Sequence, residues 1–204
     1  MVIGKRARQV LTTCAAGVLL AMSGCSDGGG QAPAASAAVP AAVATGPTQY
    51  ANVTEAFEDL NDYAPDTGEF QLLSQDPLAI RLEPTVAPED APGQIREEVA
   101  RALMYGVYRT LIHTDAQAVR VVVVPRAVDI QKKTITPLDA YQAEVYATRE
   151  RADAVARDNG FDGLASMVES STDAWTEAVK NYRHANGAAG SIRMVVELAS
   201  APKK

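Results

Sequence analysis

The segment Pro92–His113, PGQIREEVARALMYGVYRTLIH, decides the fold because it carries the strongest helical pattern in the chain. At about 100° per residue, its small and apolar side chains share one face, formed by Ile95, Val99, Ala102, Leu103, Gly106 and Thr110. The charged side chains on the opposite face are Glu97, Glu98, Arg101 and Arg109. Glu97 and Arg101 have the i,i+4 spacing of a helical ion pair. Gly106 costs about 1 kcal/mol inside a helix relative to Ala, so we expect it to allow close packing on a sheet.

Strand patterns lie on both sides of this helix. Leu78–Leu82 alternates apolar and polar residues before it, and Val119–Val124 is a β-branched run after it. Tyr141–Thr148 and Ser191–Leu198 also alternate, which predicts two more strands. In the first of these we expect Gln142, Glu144 and Tyr146 on the wetter side. Residues 130–135 are expected to form the tip of a long hairpin.

Four shorter helices are predicted, over residues 53–60, 149–157, 161–168 and 172–185. Thr54 and Thr148 are expected to cap the first and the second at their N-termini. Asn159-Gly160 and Asn186-Gly187 are expected to end the second and the last.

From residue 78 onward, the order of elements is therefore β-α-β-β-α-β, with the second α section broken into pieces. This order resembles the split β-α-β pattern of ferredoxin-like folds. We expect an α+β domain over residues 50–204, built as a two-layer sandwich with helices on one face of a mainly antiparallel sheet. A chain of this length buries about two-thirds of the surface of its unfolded state, which suffices for one stable core.

A candidate binding cluster lies on the long helix and consists of Arg101, Tyr105, Tyr108 and Arg109. Three of its members follow one another at i,i+4 spacing, and Tyr108 is adjacent, so guanidinium and phenol groups share one surface. Such donors are suited to a carboxylate or a phosphate. The alternative is a solvated stripe in which Glu97 and Glu98 pair with the arginines.

Both histidines of the chain have simple structural explanations. His113 continues the apolar stripe into the last turn of the long helix, and His184 lies in the last turn of its own helix. Packing, or the attraction between a cation and a helix C-terminus, accounts for a His at either position.

Acidic side chains suggest two further kinds of functional site, a calcium site and a hydrolase active site. Oxygen ligands suit calcium, and a cluster of them is formed by Asp59, Asp62, Asp66 and Glu69. Pro65 interrupts this cluster, which lacks the ligand spacing of an EF-hand. The second is the active site of an envelope hydrolase, with or without a metal ion. In such a site, two or more of Asp139, Glu144, Asp153 and Asp162 would lie in one pocket. Scattered, exposed carboxylates would argue against it.

Charge is distributed unevenly along the chain. Residues 26–204 contain 16 bases and 25 acids, a net charge of −9, and residues 51–100 alone carry −10. Nucleic acid would be repelled by this acidic half, so we exclude it as a partner. An acidic surface is suited to a basic partner, and it also keeps a domain soluble.

The start of the chain has the organisation of an export signal. Lys5, Arg6 and Arg8 precede an apolar run, Val10–Met22, of 13 residues. A membrane-spanning helix needs about 20 residues, so this run has the length of a signal peptide instead. The stretch Met22-Ser23-Gly24-Cys25 follows. It resembles the lipobox of bacterial lipoproteins, although that family usually has Leu where Met22 stands.

This resemblance covers residues 1–26 and implies cleavage between Gly24 and Cys25, with a lipid, such as palmitate, attached at Cys25. Ser26 would then favour the outer membrane over the inner one. The alternative is an ordinary secretory signal cut near Ala34–Ala38, which would release the domain. The remaining cysteine, Cys14, lies in the leader, so residues 26–204 offer no disulfide, thiolate metal site or cysteine nucleophile.

Three segments are therefore expected: a signal peptide over residues 1–24, a lipidated tether over 25–49 and the domain over 50–204. The tether is rich in Ala, Gly and Pro and is expected to be disordered, with an average reach of roughly 25–30 Å. The chain has no Gly-x-Ser-x-Gly, Gly-x-Gly-x-x-Gly, P-loop or zinc signature. We therefore expect a non-catalytic envelope domain without cofactor or metal that docks an envelope protein, with the hydrolase as the alternative.

Overall fold

The computed structural model describes residues 46–185 and 188–200. Within these ranges the chain forms five α-helices and two mixed β-sheets, which confirms the α+β class. The expected signal peptide over residues 1–24, Cys25, residues 26–45 of the expected tether and the Asn186-Gly187 helix end all lie outside the described residues.

The helices are α1 (Val53–Leu60), α2 (Pro92–His113), α3 (Arg149–Asp158), α4 (Glu177–Ala185) and α5 (Ala188–Ala199). The strands are β1 (Phe70–Gln75), β2 (Leu78–Leu82), β3 (Thr85–Val86), β4 (Ala118–Val123), β5 (Arg126–Asp129), β6 (Thr134–Pro137) and β7 (Ala143–Thr148). Short 3-10 turns cover residues 65–67, 139–141 and 164–167. Among the described helices, none combines the length and apolar character needed to cross a membrane.

The larger sheet has the strand order β1-β2-β4-β7. β2 and β4 run parallel, which requires the long crossover that contains α2, and the other two pairs are antiparallel. β4 is a central strand, because β2 and β7 pair with its two edges. Its residues Val119, Val121 and Val123 are fully buried on the side that faces the helices.

The smaller sheet has the order β3-β5-β6. β5 and β6 form an antiparallel hairpin, and its tip lies where the sequence predicted one. Ile130 and Ile135 near this tip are 84% and 61% exposed.

Helix α2 forms the centre of the core, and its predicted apolar stripe is buried. Gly106 lies against β4 and β2: a Cβ atom at this position would be 2.6 Å from Val121 Cγ1 and 3.0 Å from Leu82 Cδ1. Real Cβ atoms do not approach other atoms so closely. Gly106 therefore lets helix and sheet pack in direct contact, as expected.

The predicted strand over Ser191–Leu198 is wrong, because this segment belongs to helix α5. Ser191, Met194 and Leu198 are buried, and their spacing of three and four residues places them on one helical face. Strand β1, which the sequence pattern did not predict, forms one edge of the larger sheet. The described elements therefore do not follow the ferredoxin-like order.

Smaller differences concern helix ends. Asn52 rather than Thr54 caps α1, since its Oδ1 accepts the Glu55 N–H at 3.0 Å. Thr148 caps α3 as predicted, accepting the Arg151 N–H at 3.1 Å. In place of a helix over residues 161–168 there is one 3-10 turn, and α4 starts at Glu177 rather than at residue 172.

Candidate functional site

The predicted binding cluster on α2 does not form an open site. Tyr108 is fully buried, and its hydroxyl donates to the Ala152 carbonyl at 3.3 Å. Arg109, predicted on the solvent face, is also buried. Tyr105 is half-buried, with its ring 4.6 Å from that of Trp175. Arg101 pairs with Glu98 rather than with Glu97, so the solvated-stripe alternative describes Arg101 but not Arg109.

The buried Arg109 cation is satisfied by groups of the chain itself. Its Nε donates to Asp62 Oδ2 at 2.6 Å, and its Nη1 donates to the Asp173 carbonyl at 2.6 Å. The guanidinium carbon lies 4.0 Å from the centre of the Trp175 ring, within the range of a cation–π contact. The carboxylate that Arg109 binds is therefore an internal one.

His113 is fully buried beside Arg109 and is neutral in this arrangement. Its Nδ1 lies 3.0 Å from the Thr48 carbonyl, so we assign the proton to this nitrogen. Nε2 is then free to accept from Arg109 Nη1 at 3.3 Å. Burial lowers the pKa of His113, and the nearby Arg109 charge lowers this pKa further. His184 falls in α4, and its side chain lies outside the described part.

The same end of α2 holds the N-terminal segment of the described chain. The Thr48 N–H donates to Asp173 Oδ1 at 3.0 Å, and the Tyr50 N–H donates to the His113 carbonyl at 2.8 Å. Gln49 Nε2 donates to the Ile112 carbonyl at 2.8 Å. Residues 48 and 49, which the sequence assigned to the tether, are thus bound to the domain.

Three of the four acidic residues considered for calcium have other partners. Asp59 accepts the Tyr50 hydroxyl, and Asp62 pairs with Arg109. Glu69 accepts from Thr85 Oγ1 at 2.9 Å and lies 3.4 Å from Arg126. In the described ranges, no group of three or more His, Cys, Asp or Glu side chains is arranged to hold a metal ion.

The carboxylates of the hydrolase alternative are divided among different places. Asp139 is exposed on a 3-10 turn, and Glu144 pairs with Arg120 on the surface of the sheet. Asp153 and Asp162 do line one cavity of about 560 Å³. However, bonds from Arg157 Nε at 2.8 Å and from the Leu164 N–H at 3.1 Å hold the pKa of Asp153 below its usual range. A general acid needs a raised pKa, so this environment does not suit Asp153 to that role, and its carboxylate pairs with Arg157.

A different cavity, of about 540 Å³, is lined by both acidic and apolar residues. Four parts of the chain line it: the start of α1, the β1–β2 turn, the α2–β4 loop and Tyr146 of β7. Its charged lining residues are Asp76 and Asp115, both of which are acidic and exposed. Leu72 and Leu78 supply apolar lining.

The α2–β4 loop is fixed by bonds to its backbone. Thr114 Oγ1 donates to the Thr110 carbonyl at 2.7 Å and accepts the Ala116 N–H at 3.2 Å. Arg149 Nη2 donates to the carbonyls of Thr114 and Ala116, at 2.7 and 2.9 Å. These bonds leave Asp115 exposed on a well-defined loop, where it lines the cavity.

Neither Asp76 nor Asp115 forms an ion pair with any side chain in the described ranges. Tyr146, at the wall of the same cavity, is 59% exposed. A lysine or arginine side chain fits such a site, because its stem packs on apolar atoms while its head meets carboxylates and an aromatic ring.

The outer face of the larger sheet continues from this cavity through Tyr146. Gln142, Glu144 and Tyr146 are all exposed, which confirms the predicted wet side of β7. Arg120 of β4 lies opposite Tyr146 in the strand register and bonds to Glu144. This surface is therefore open to a partner that reaches the cavity.

Sequence reasoning missed this cavity because its lining comes from four separate segments. Only the acidic excess of residues 51–100, which includes Asp76, pointed to a basic partner. Comparison of the chain with protein-family models, with curated proteins and with solved structures gave no match.

Proposed function

We propose that the protein is a cell-envelope lipoprotein whose domain binds a basic segment of another envelope protein and catalyses no reaction. A lipid on Cys25 would hold it at the membrane, facing the periplasm, with the outer membrane favoured by Ser26. Support for the anchor comes from the basic leader, the 13-residue apolar run and the lipobox-like Met22–Cys25 stretch.

The binding proposal rests on one observation: Asp76 and Asp115 line a cavity of about 540 Å³, and no basic residue is among the described residues that line it. Two carboxylates without a described partner, next to an exposed tyrosine, are complementary to an incoming cation. The net charge of −9 over residues 26–204 would also attract a basic partner from a distance and raise its rate of association.

Site-specific photocrosslinking in intact cells tests the binding proposal. A photoreactive phenylalanine analogue would replace Gln117, which is exposed and lines the cavity. The matched control carries the same analogue at Gln131, an exposed position on the β5–β6 hairpin. We expect a discrete adduct from position 117, and mass spectrometry should find a Lys- or Arg-rich peptide at the link.

Charge-neutralising variants make this test specific. We expect Asp76→Asn combined with Asp115→Asn to reduce the adduct at least tenfold, whereas Asp66→Asn, at an exposed site outside the cavity, leaves it unchanged. An adduct of equal yield in all three backgrounds, or a linked peptide rich in acidic residues, would refute the proposed charge complementarity.

The anchor has a separate test, in which the native protein is compared with a Cys25→Ser variant by intact mass and membrane fractionation. We expect the native chain to start at Cys25, to carry lipid mass and to sediment with membranes, and the variant to be soluble. A soluble native protein cut near residues 34–38 would show that an ordinary secretory signal operates instead.

A further inference from the structure

A second concave site lies between helices α2 and α5. It is a groove of about 370 Å³, which is also lined by residues 140–143 at the start of β7. Its walls include Val99 and Leu103 of α2, Ile192 and Val196 of α5, and Tyr141. None of these residues lines the acidic cavity.

The groove leaves apolar side chains uncovered. Ile192 and Val196 follow one another at i,i+4 spacing on α5, and they are 36% and 59% exposed. Val99 and Leu103 on the opposite wall are buried. An apolar guest in the groove would remove the exposed side chains from water, which is the main source of affinity for a site of this kind.

One charged residue, Arg96, lines the groove. It is exposed and forms no ion pair with any described residue. A guanidinium binds a carboxylate through two parallel N–H···O bonds, so this arginine complements an anionic head group. The domain as a whole repels anions, and any affinity for one must therefore come from Arg96 locally.

We infer that this groove binds a medium-chain fatty acid, with the aliphatic chain against α2 and α5 and the carboxylate on Arg96. The apolar walls account for the chain, and charge complementarity accounts for the head group. This site is independent of the proposed docking of a basic protein segment.

A chain-length series tests the apolar part of the site. The full chain with Cys25→Ser would be titrated with octanoate, decanoate and dodecanoate by calorimetry, below the concentration at which each forms micelles. Each methylene transferred from water into an apolar site is worth about a fourfold gain in affinity. We expect a stepwise fall in Kd that stops when the groove is full, and no binding of acetate.

The head group is tested by comparing dodecanoate with 1-dodecanol. We expect Arg96→Gln to weaken dodecanoate binding about tenfold or more, since a hydrogen bond to a charged group is lost, and to leave dodecanol binding unchanged. Val196→Ser should weaken both ligands. The matched controls are Arg120→Gln and Ile135→Ser, an exposed arginine and an exposed isoleucine outside the groove.

Three results would overturn this inference. The first is an absence of saturable binding to the purified chain. The second is dodecanoate binding that Arg96→Gln and Val196→Ser leave unchanged, because the ligand would then sit elsewhere. The third is a Kd that stays the same from octanoate to dodecanoate, because the apolar walls of the groove would then contribute nothing to binding.

Discussion

Arg109 is a buried cation whose contacts outside α2 come from two separate parts of the chain. Asp62 precedes the larger sheet, and the Asp173 carbonyl and the Trp175 ring belong to the loop before α4. Removing a charge from water costs several kcal/mol unless the charge is paired and hydrogen-bonded. These contacts therefore connect α2 with both flanking regions, and they explain how an arginine can occupy the core.

We expect Asp62→Asn to lower the free energy of unfolding by about 1–3 kcal/mol, because it neutralises the partner of a buried charge. Asp62 itself is partly exposed, so the loss stays below that of a fully buried pair. Glu98→Gln, which breaks the surface pair with Arg101, should cost less than about 1 kcal/mol. Urea unfolding of both variants measures the difference, and equal losses would contradict the assigned role of Asp62.

The lowered pKa of His113 predicts how the free energy of unfolding depends on pH. Its pKa in the folded protein is lowered, whereas the unfolded chain has the ordinary value of about 6.5. The unfolded state therefore binds a proton first, so the stability contributed by neutral His113 is complete above about pH 6.5 and is lost as the pH falls below that value.

Unfolding free energies measured between about pH 5 and 7.5 should therefore fall toward acid, in a range above the ordinary carboxylate pKa values. The charged groups near His113 are Arg109 of the same helix, Asp62, and Asp173 of the loop, whose Oδ1 lies 3.9 Å from Nδ1. A His113→Gln variant should be less stable at pH 7.5 and should lose this slope. A variant with the wild-type slope would exclude His113 as its source.

At the scale of whole elements, the contact between α2 and the larger sheet depends on Gly106. We expect Gly106→Ala to lower the free energy of unfolding by about 1–2 kcal/mol, because the clash with Val121 and Leu82 outweighs the gain of about 1 kcal/mol in helix propensity. Gly93→Ala is the matched control, since a Cβ there meets nothing within 4 Å. It should be neutral or slightly stabilising, and two variants of equal stability would contradict close helix–sheet packing.

The helices and strands that could be predicted from the sequence are those whose apolar residues repeat with one dominant period. Pro92–His113 has the ends that were predicted, and the Val119–Val124 run covers the central strand β4 except for its first residue, Ala118. Ser191–Leu198 fits both the two-residue period of a strand and the 3.6-residue period of a helix. Its apolar residues alternate, while Ser191, Met194 and Leu198 also share a helical face. Packing against α2 decides between these patterns, and that information is not local.

The sites were less predictable than the elements. Arg109 was placed on the solvent face because the sequence does not show that Asp62 and Trp175 would reach it. β1 was missed because most of its residues are exposed, so its pattern carries little apolar signal. The acidic cavity depends on where β1 turns into β2, and it could not be assembled without that strand.

At the scale of the molecule, the acidic cavity and the N-terminal segment lie at the same end of α2. Tyr50 binds the last residue of the helix, and Ala51 already lines the cavity. The groove lies toward the other end, since Val99 and Thr114 are separated by about 20 Å along a helix with a rise of 1.5 Å per residue. A lipid on Cys25, as proposed above, would join the chain to the membrane 20 residues before this described segment, whose end of the domain also holds the cavity.

This arrangement predicts that the partner is held at the same membrane and that the anchor raises its effective concentration at the cavity. We expect Cys25→Ser to reduce the photocrosslink from position 117 several-fold in cells, although the site itself is unchanged. Purified Cys25→Ser protein should bind a tetralysine peptide, and the Asp76→Asn, Asp115→Asn background should weaken that binding, which shows that the cavity still functions without the anchor. An equal crosslink yield with and without the lipid would mean that the partner is not confined to that membrane, because only a confined partner gains from an anchor in the same membrane.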